Sequence, residues 1–159
     1  MENLKIEGAE IRFRNFAGKE RDYNPEGNRN FCVFFDLEKA HELERIGWNV
    51  KYTKPSDKYE QKGYIPVAVS FDHVPPTVYM ITGKKAVKLG PETIGILDWS
   101  DLVTVDLDIS PYIWNVSGRN GVKAYLKSMY AVIKQDEFAE KYSEQLLSSA
   151  SESEDDLPF

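Results

Sequence analysis

One cysteine and two histidines in 159 residues leave little material for thiol or imidazole chemistry. Cys32 alone cannot close an internal disulfide, which agrees with a reducing compartment. His41 and His73 have no Cys or His neighbours at metal-ligand spacing. No run approaches the apolar length that crosses a bilayer. The opening MENLKIEGAEI scatters charges among its apolar residues and has no signal-peptide core. Gly83-Lys84-Lys85 lacks the Gly-rich phosphate loop that would surround a nucleotide-binding lysine. A soluble intracellular protein is expected, with no membrane partner, no cofactor, no metal and no enzymatic activity. The acids Asp98, Asp101, Asp106 and Asp108 keep one enzyme reading open, a metal-dependent nuclease. Two-metal chemistry needs carboxylates converging from several elements, and Asp106 and Asp108 share one strand face.

The excess of negative charge is local. The net charge is −6, but residues 135–159 hold eight acids and one base, while residues 1–134 hold 19 Lys and Arg against 18 Asp and Glu. The body is near neutral and can still present a basic groove, because local potential counts for more than the total.

Strand patterns dominate the body. Residues 9–16 alternate, with Ile11 and Phe13 expected inward and Arg12, Arg14 and Phe16 outward. Gly18, Asn24, Pro25 and Gly27 mark a loop. The apolar run 31–35 (FCVFF) suits a strand buried on both faces. Leu37–Ile46 carries a helical stripe of Leu37, Ala40, Leu43 and Ile46, with Asp36 to cap it and Gly47 to end it. Residues 48–54 alternate again, setting Trp48, Val50 and Tyr52 against Asn49, Lys51 and Thr53. Residues 63–72 form a strand with Ile65, Val67, Val69 and Phe71 on one face, and Pro66 puts it at an edge or a bulge. A strand over 78–82 leads to a turn at 83–85, and 91–97 predicts one or two helical turns. Residues 102–114 and 122–133 read as a long hairpin with its tip at 115–121 (NVSGRNG). A helix is expected over 136–147. The stretch 148–159 (SSASESEDDLPF) lacks the apolar content to fold. The expected architecture is mainly β: an OB-like closed or partly open barrel over 1–147 with one or two short helices, a C-terminal helix, and a disordered acidic tail over 148–159.

Among the 20 aromatics, Phe13, Phe31, Phe35, Trp48 and Phe71 are assigned to packing. The second hairpin strand sets Val122, Ala124, Leu126, Ser128 and Tyr130 against Lys123, Tyr125, Lys127 and Met129. A face reading Lys–Tyr–Lys suits a nucleic-acid single strand: cations neutralise phosphates and the aromatic ring stacks a base. Trp114 and Arg119 extend that surface. Arg12 with Arg14, and Lys51 with Lys54, are two further basic patches. An ordinary solvated strand face explains each patch taken alone; their repetition favours binding. At the other end, Glu154, Asp155, Asp156, Leu157, Pro158 and Phe159 place an apolar anchor on an acidic leash, the composition of a docking peptide. A purely solubilising tail is the plainer reading, but it has no need of Phe159.

The DDLPF end resembles the acidic tips of bacterial-type single-stranded DNA-binding proteins. The body segments GAEIRFRNF, NFCVFF, GWNVK, PYIWNVSGRNGVKAYLKSMY and EFAEKY resemble the single-stranded DNA-binding proteins of tailed bacteriophages. The likeness covers most of the chain, although the long Gly/Pro/Gln-rich linker of many bacterial members is missing. It implies an OB-fold and sequence-independent binding of single strands. It also implies work in phage DNA replication or recombination in the cytoplasm of an infected bacterial host. Tail contacts to a polymerase, helicase or recombinase are implied as well. Monomer and homo-oligomer both stay open. The non-enzymatic rival is a protein-only phage β-domain whose acidic tail mimics DNA.

Overall fold

A computed structural model describes residues 1–72 and 74–134. The expected helix at 136–147, the tail at 148–159 with its docking residues Glu154, Asp155, Asp156, Leu157, Pro158 and Phe159, and His73 lie outside the described residues. Among the described residues there are nine strands: β1 (Leu4–Ile6), β2 (Glu10–Asn15), β3 (Arg29–Phe35), β4 (Lys51–Tyr52), β5 (Gly63–Val69), β6 (Thr77–Thr82), β7 (Lys85–Leu89), β8 (Leu102–Val116) and β9 (Arg119–Ile133). One helix, α1, spans Leu37–Ile46, and a short 3-10 helix spans Ile94–Asp98. No helix among the described residues is long and apolar enough to cross a membrane.

The strands join in the order β1-β8-β9-β5-β3-β2, with β4 paired to β5, β6 to β9 and β7 to β6. The long strand β9 divides its edge. Its first half runs parallel to β5 through Val67↔Ala124, and its second half runs parallel to β6 through Val78↔Met129. The sheet curls without closing, so the barrel is of the partly open kind. Across the opening, the 3-10 helix grips the end of β2. The Asp98 carboxylate accepts the Phe16 and Ala17 N–H groups. The Arg14 guanidinium donates to the Leu97 and Ser100 carbonyls at 2.8 and 2.7 Å.

The interior takes alternate residues of each strand, as the period-2 pattern requires. Phe31, Val33, Ile65, Val67, Ile109 and Leu126 are buried there, joined by Phe35 and Trp48. The Asp36 carboxylate caps α1 by accepting from Lys39 N–H at 2.8 Å. Gly47 ends it at φ 125°, a conformation that favours glycine. Ala40 and Leu43 of α1 are buried. The helix comes so close to β5 that a Cβ built on Gly63 would lie 2.3 Å from the Ala40 Cβ. Pro66 falls between the part of β5 paired to β4 and the part paired to β9. That side of β5 is open at Pro66, which accommodates a residue without an N–H.

Two bulges move side chains away from their expected faces. In β2, Arg12 pairs with Cys32 and Asn15 with Asn30, so the strand carries one extra residue, and Phe13 adopts φ 56°. Phe13, assigned to packing, is 67% exposed. Phe16, expected outward with the arginines, is fully buried and stacks on Phe31 with centroids 5.2 Å apart. In β9, Ser128 pairs with Asp108 and Leu126 with Ile109, which leaves Lys127 as the extra residue. Beyond it the alternation reverses: Met129 is buried and Tyr130 is exposed, stacked on Tyr79 at 5.7 Å. The hairpin tip is also tighter than its sequence suggests. The strands run to Val116 and from Arg119, and Ser117 and Gly118 turn with φ 52° and 78°. Two central residues with positive φ make the turn whose twist matches a hairpin.

A candidate nucleic-acid interface

The distal part of the β8–β9 hairpin presents two faces. One continues the barrel interior through Ile109, Pro111 and Leu126. The other carries the cross-strand pairs Ser110↔Tyr125, Tyr112↔Lys123, Trp114↔Gly121 and Val116↔Arg119. Residues directly opposite on neighbouring strands share a face, so these pairs form one stripe. Tyr112 and Tyr125 meet edge to face at 6.1 Å, and the Lys123 ammonium sits 5.2 Å from the Tyr125 ring centre. Trp114 lies against bare backbone: a Cβ on Gly121 would come within 2.6 Å of its indole ring. Gly121 therefore gives the indole a seat that any other residue would take away. Tyr112 and Trp114 remain 58% and 36% exposed.

This stripe forms one wall of an open groove of about 820 Å³, lined by Trp114, Lys123 and Tyr125 on the hairpin and by Lys51 at β4. The floor is Pro66 and Ala68 of β5, which are small and flat. Arg29 and Phe71 line it as well. Three cations face one acid, Asp72, among the residues lining the groove. The Arg29 guanidinium stands 5.5 Å over the Phe71 ring and donates to the Phe16 carbonyl at 2.6 Å. Burial lowers its pKa and Asp98 opposes that shift; it stays a cation. Burial raises the pKa of the Cys32 thiol while Lys51 opposes it, so the thiol is protonated at neutral pH.

Four of the nine residues singled out as nucleic-acid contacts therefore share this groove: Lys51, Trp114, Lys123 and Tyr125. Arg119 stands at the hairpin tip on the same stripe. Arg12 lies on the outer face of the sheet two strands from the groove floor, through Arg12↔Cys32 and Cys32↔Pro66. Lys127 is exposed at the β9 bulge, and Lys54 is exposed just past β4; neither lines the groove. Arg14 is half-buried, and its two carbonyl acceptors give it a structural task, because the β2 bulge turns it toward the 3-10 helix. Arg29 and Phe71 in the groove and Tyr112 on the stripe stand outside the nine; Phe71, assigned to packing, does pack against the core and lines the groove as well. Tyr112 was legible, since it stands two residues before Trp114 on the same strand. Arg29 and Phe71 were not, since only folding brings the start of β3 beside the end of β5.

Three of the four aspartates of the nuclease reading are engaged separately. Asp98 holds Phe16 and Ala17. Asp106 accepts from Gly8 N–H at 2.9 Å, and Asp108 accepts from Asn3 Nδ2 at 3.1 Å. No group of three or more His, Cys, Asp or Glu side chains stands ready to hold a metal among the described residues. His41 packs against Tyr52 with centroids 5.4 Å apart.

A curled, partly open β-barrel with a basic, aromatic-lined groove defines a protein of the OB-like class. The same architecture occurs in the single-stranded DNA-binding protein of bacteriophage Enc34, at a TM-score of 0.54 and 11% identity over 87% of this chain and 84% of that one. A second structure of the Enc34 protein, in complex with ssDNA, matches at a TM-score of 0.54 and 10% identity over 84% of this chain and 88% of that one. At that identity the likeness concerns the fold. The sequence profile of the family described as "Putative phage ssDNA-binding domain" matches residues 1–156, and the chain belongs to that family. No curated protein matches the sequence.

Proposed function

We propose that this protein binds single-stranded DNA without sequence preference, holding the strand in the groove between the hairpin stripe and β4, and protects single strands during phage DNA replication or recombination. One observation carries the reading: the stripe sets Tyr112, Trp114 and Tyr125 beside Lys123, and the groove adds Lys51 and Arg29. Stacking on aromatic rings tolerates any base, and cations track the backbone, which is the chemistry of sequence-independent binding. Asn28, Asn30, Asn49 and Ser70 add amides and a hydroxyl to the lining, groups that can meet a base or the backbone without selecting one base by charge. Membership of the phage family and the Enc34 complex with ssDNA support the same reading.

We also propose that Glu154, Asp155, Asp156, Leu157, Pro158 and Phe159 recruit a replication or recombination protein of the host or phage. The acids supply long-range attraction to a basic pocket, and Leu157 and Phe159 supply apolar anchors.

The test is a fluorescence-anisotropy titration with labelled oligo(dT), repeated with Mg²⁺ and with a duplex competitor. Binding of intact oligo(dT), weakened by Tyr125→Ala and by Lys123→Ala while the melting temperature holds, supports the groove. Degradation in Mg²⁺ would establish a nuclease instead, and no binding would leave a protein-only module. For the tail, capture from phage-infected lysate is compared between the full chain and Phe159→Ala. Equal recovery of the same replication proteins rejects the docking role.

A further inference from the structure

We infer that the bound strand leaves the groove across β5 and β3 and reaches a second stacking platform on β2, built around Phe13 and steered by Arg12. This rests on the groove being the single-strand site.

Phe13 is the starting point. Its φ of 56° is a conformation that side chains with a Cβ avoid, and its ring is left largely in solvent. The fold gains little burial from it, a partial cover over Phe34. A bulge on β2, which among the described residues pairs only with β3, helps to blunt an edge. That purpose needs no aromatic residue, however, and glycine or asparagine would adopt the conformation with less strain. The ring is held in place: it leans on Phe34 with centroids 5.9 Å apart, and Phe34 stacks on Tyr64 at 5.1 Å with planes 19° apart. The Arg12 guanidinium lies 4.7 Å from the Phe34 ring centre. Arg12 thus covers the buried Phe34 ring on which the exposed Phe13 ring leans, so cation and open aromatic ring share one support.

The two platforms share one continuous surface. Tyr64 is paired with Lys51, which lines the groove. Pro66 and Ala68, two and four residues further along β5, share the face of Tyr64 and pave the groove floor. Tyr125 is paired with Ala68, and Arg12 reaches Pro66 through Cys32. From β9 to β2 the path crosses three strand spacings, about 14 Å. Glu10 lies on this route, but its carboxylate is held by Lys62 at 3.1 Å and by Arg12 at 2.9 Å. The trio carries one net positive charge, so the route favours phosphate.

The test uses the full chain with dT4 and dT16, the two ends of the site-size range of about 4–16 nucleotides for OB-folds. Phe13→Gly removes the ring and relieves the backbone strain, which offsets the lost contact with Phe34, so its melting temperature should stay nearly unchanged. Its affinity for dT16 should drop on the order of 10-fold, the loss of one stacked base. The loss for dT4 should be smaller, and Phe13→Trp should restore dT16 binding. Tyr125→Ala should weaken both oligonucleotides. Unchanged dT16 affinity in Phe13→Gly, with Tyr125→Ala weakened, overturns the second platform and leaves the groove standing. So does unchanged affinity together with a shifted gel-filtration volume, which makes the ring a protein contact. Equal losses for dT4 and dT16 place Phe13 in the primary site and overturn the ordered path. If Tyr125→Ala changes neither, the groove itself is wrong and this inference falls with it.

Discussion

Removing two of the three groove cations should change the salt dependence of DNA binding by a calculable amount. Each phosphate neutralised on a single strand contributes about −0.7 to the slope of log K against log[salt]. Arg29, Lys51 and Lys123 line the groove, so together they contribute a slope of about −2.1. Raising salt from about 50 to 200 mM then lowers affinity roughly 18-fold through the groove alone. In Lys51→Ala/Lys123→Ala only Arg29 remains, and the groove's contribution shrinks to about −0.7, or roughly 2.6-fold over the same range. Arg12 and Arg119, if they touch phosphate, steepen both proteins equally, so the difference of about 1.4 in slope is the robust quantity.

The assay is oligo(dT) anisotropy at four salt concentrations for parent, double variant and Lys54→Ala. Lys54 is exposed but does not line the groove, so its removal should change the slope by clearly less than one phosphate's worth. Lys51 and Lys123 are exposed, and their replacement should leave stability within about 0.5 kcal/mol. A double variant with the parental slope refutes the groove as the phosphate path. So does a Lys54→Ala effect as large as that of the double variant, because the cations would then act through the whole surface rather than through this channel.

Three further outcomes test the scaffold that shapes the groove. Gly63→Ala should destabilise the fold by about 1–3 kcal/mol or more, because its Cβ would collide with Ala40 of α1; urea unfolding measures it, and Ala40→Gly should recover part of the loss. Arg14→Ala should lower stability by about 1.5–3 kcal/mol, because the Leu97 and Ser100 carbonyls lose a charged donor, while oligo(dT) affinity stays nearly constant. The Glu10 pKa is lowered: burial alone would raise it, but hydrogen bonds from Lys62 and Arg12 outweigh that effect. Its contribution is therefore present above the unfolded value of about 4.3 and fades as pH falls through the lower folded value, so the stability gap between parent and Glu10→Gln should close on acidification.

Much of this fold is legible in the sequence because most of it obeys local rules. The caps of α1, the buried Ala40 and Leu43 of its stripe, the apolar run of β3 and the two halves of the long hairpin all follow from periodicity and turn chemistry, whereas Ile46 at the end of that stripe is 55% exposed. Phe31, Phe35 and Trp48 are buried as their pattern demands. Two short strands, β1 and β7, gave no such signal. β1 has three residues and is held by pairing with β8, including Leu4↔Ile109. β7 reads as polar because its Lys85, Ala86 and Lys88 are exposed and only Val87 and Leu89 turn inward.

The parity of β2 and β9 fails at a specific kind of place. Alternation counts residues, and one inserted residue inverts every assignment after it. In β2 the inversion exposes Phe13, buries Phe16 and turns Arg14 inward; in β9 it buries Met129 and exposes Tyr130. Nothing in composition announces either bulge. Lys123 and Tyr125 precede the β9 bulge, which is why their outward placement follows from simple alternation. The groove is illegible for a different reason. It exists because β5 gives up β4 on one edge and takes β9 on the same edge, leaving Pro66 uncovered between them. Lys51 and Lys123 become neighbours only through that exchange. A local pattern can nominate a basic, aromatic strand face. Whether two such faces become a channel is decided by strand order, and strand order is a property of the whole chain.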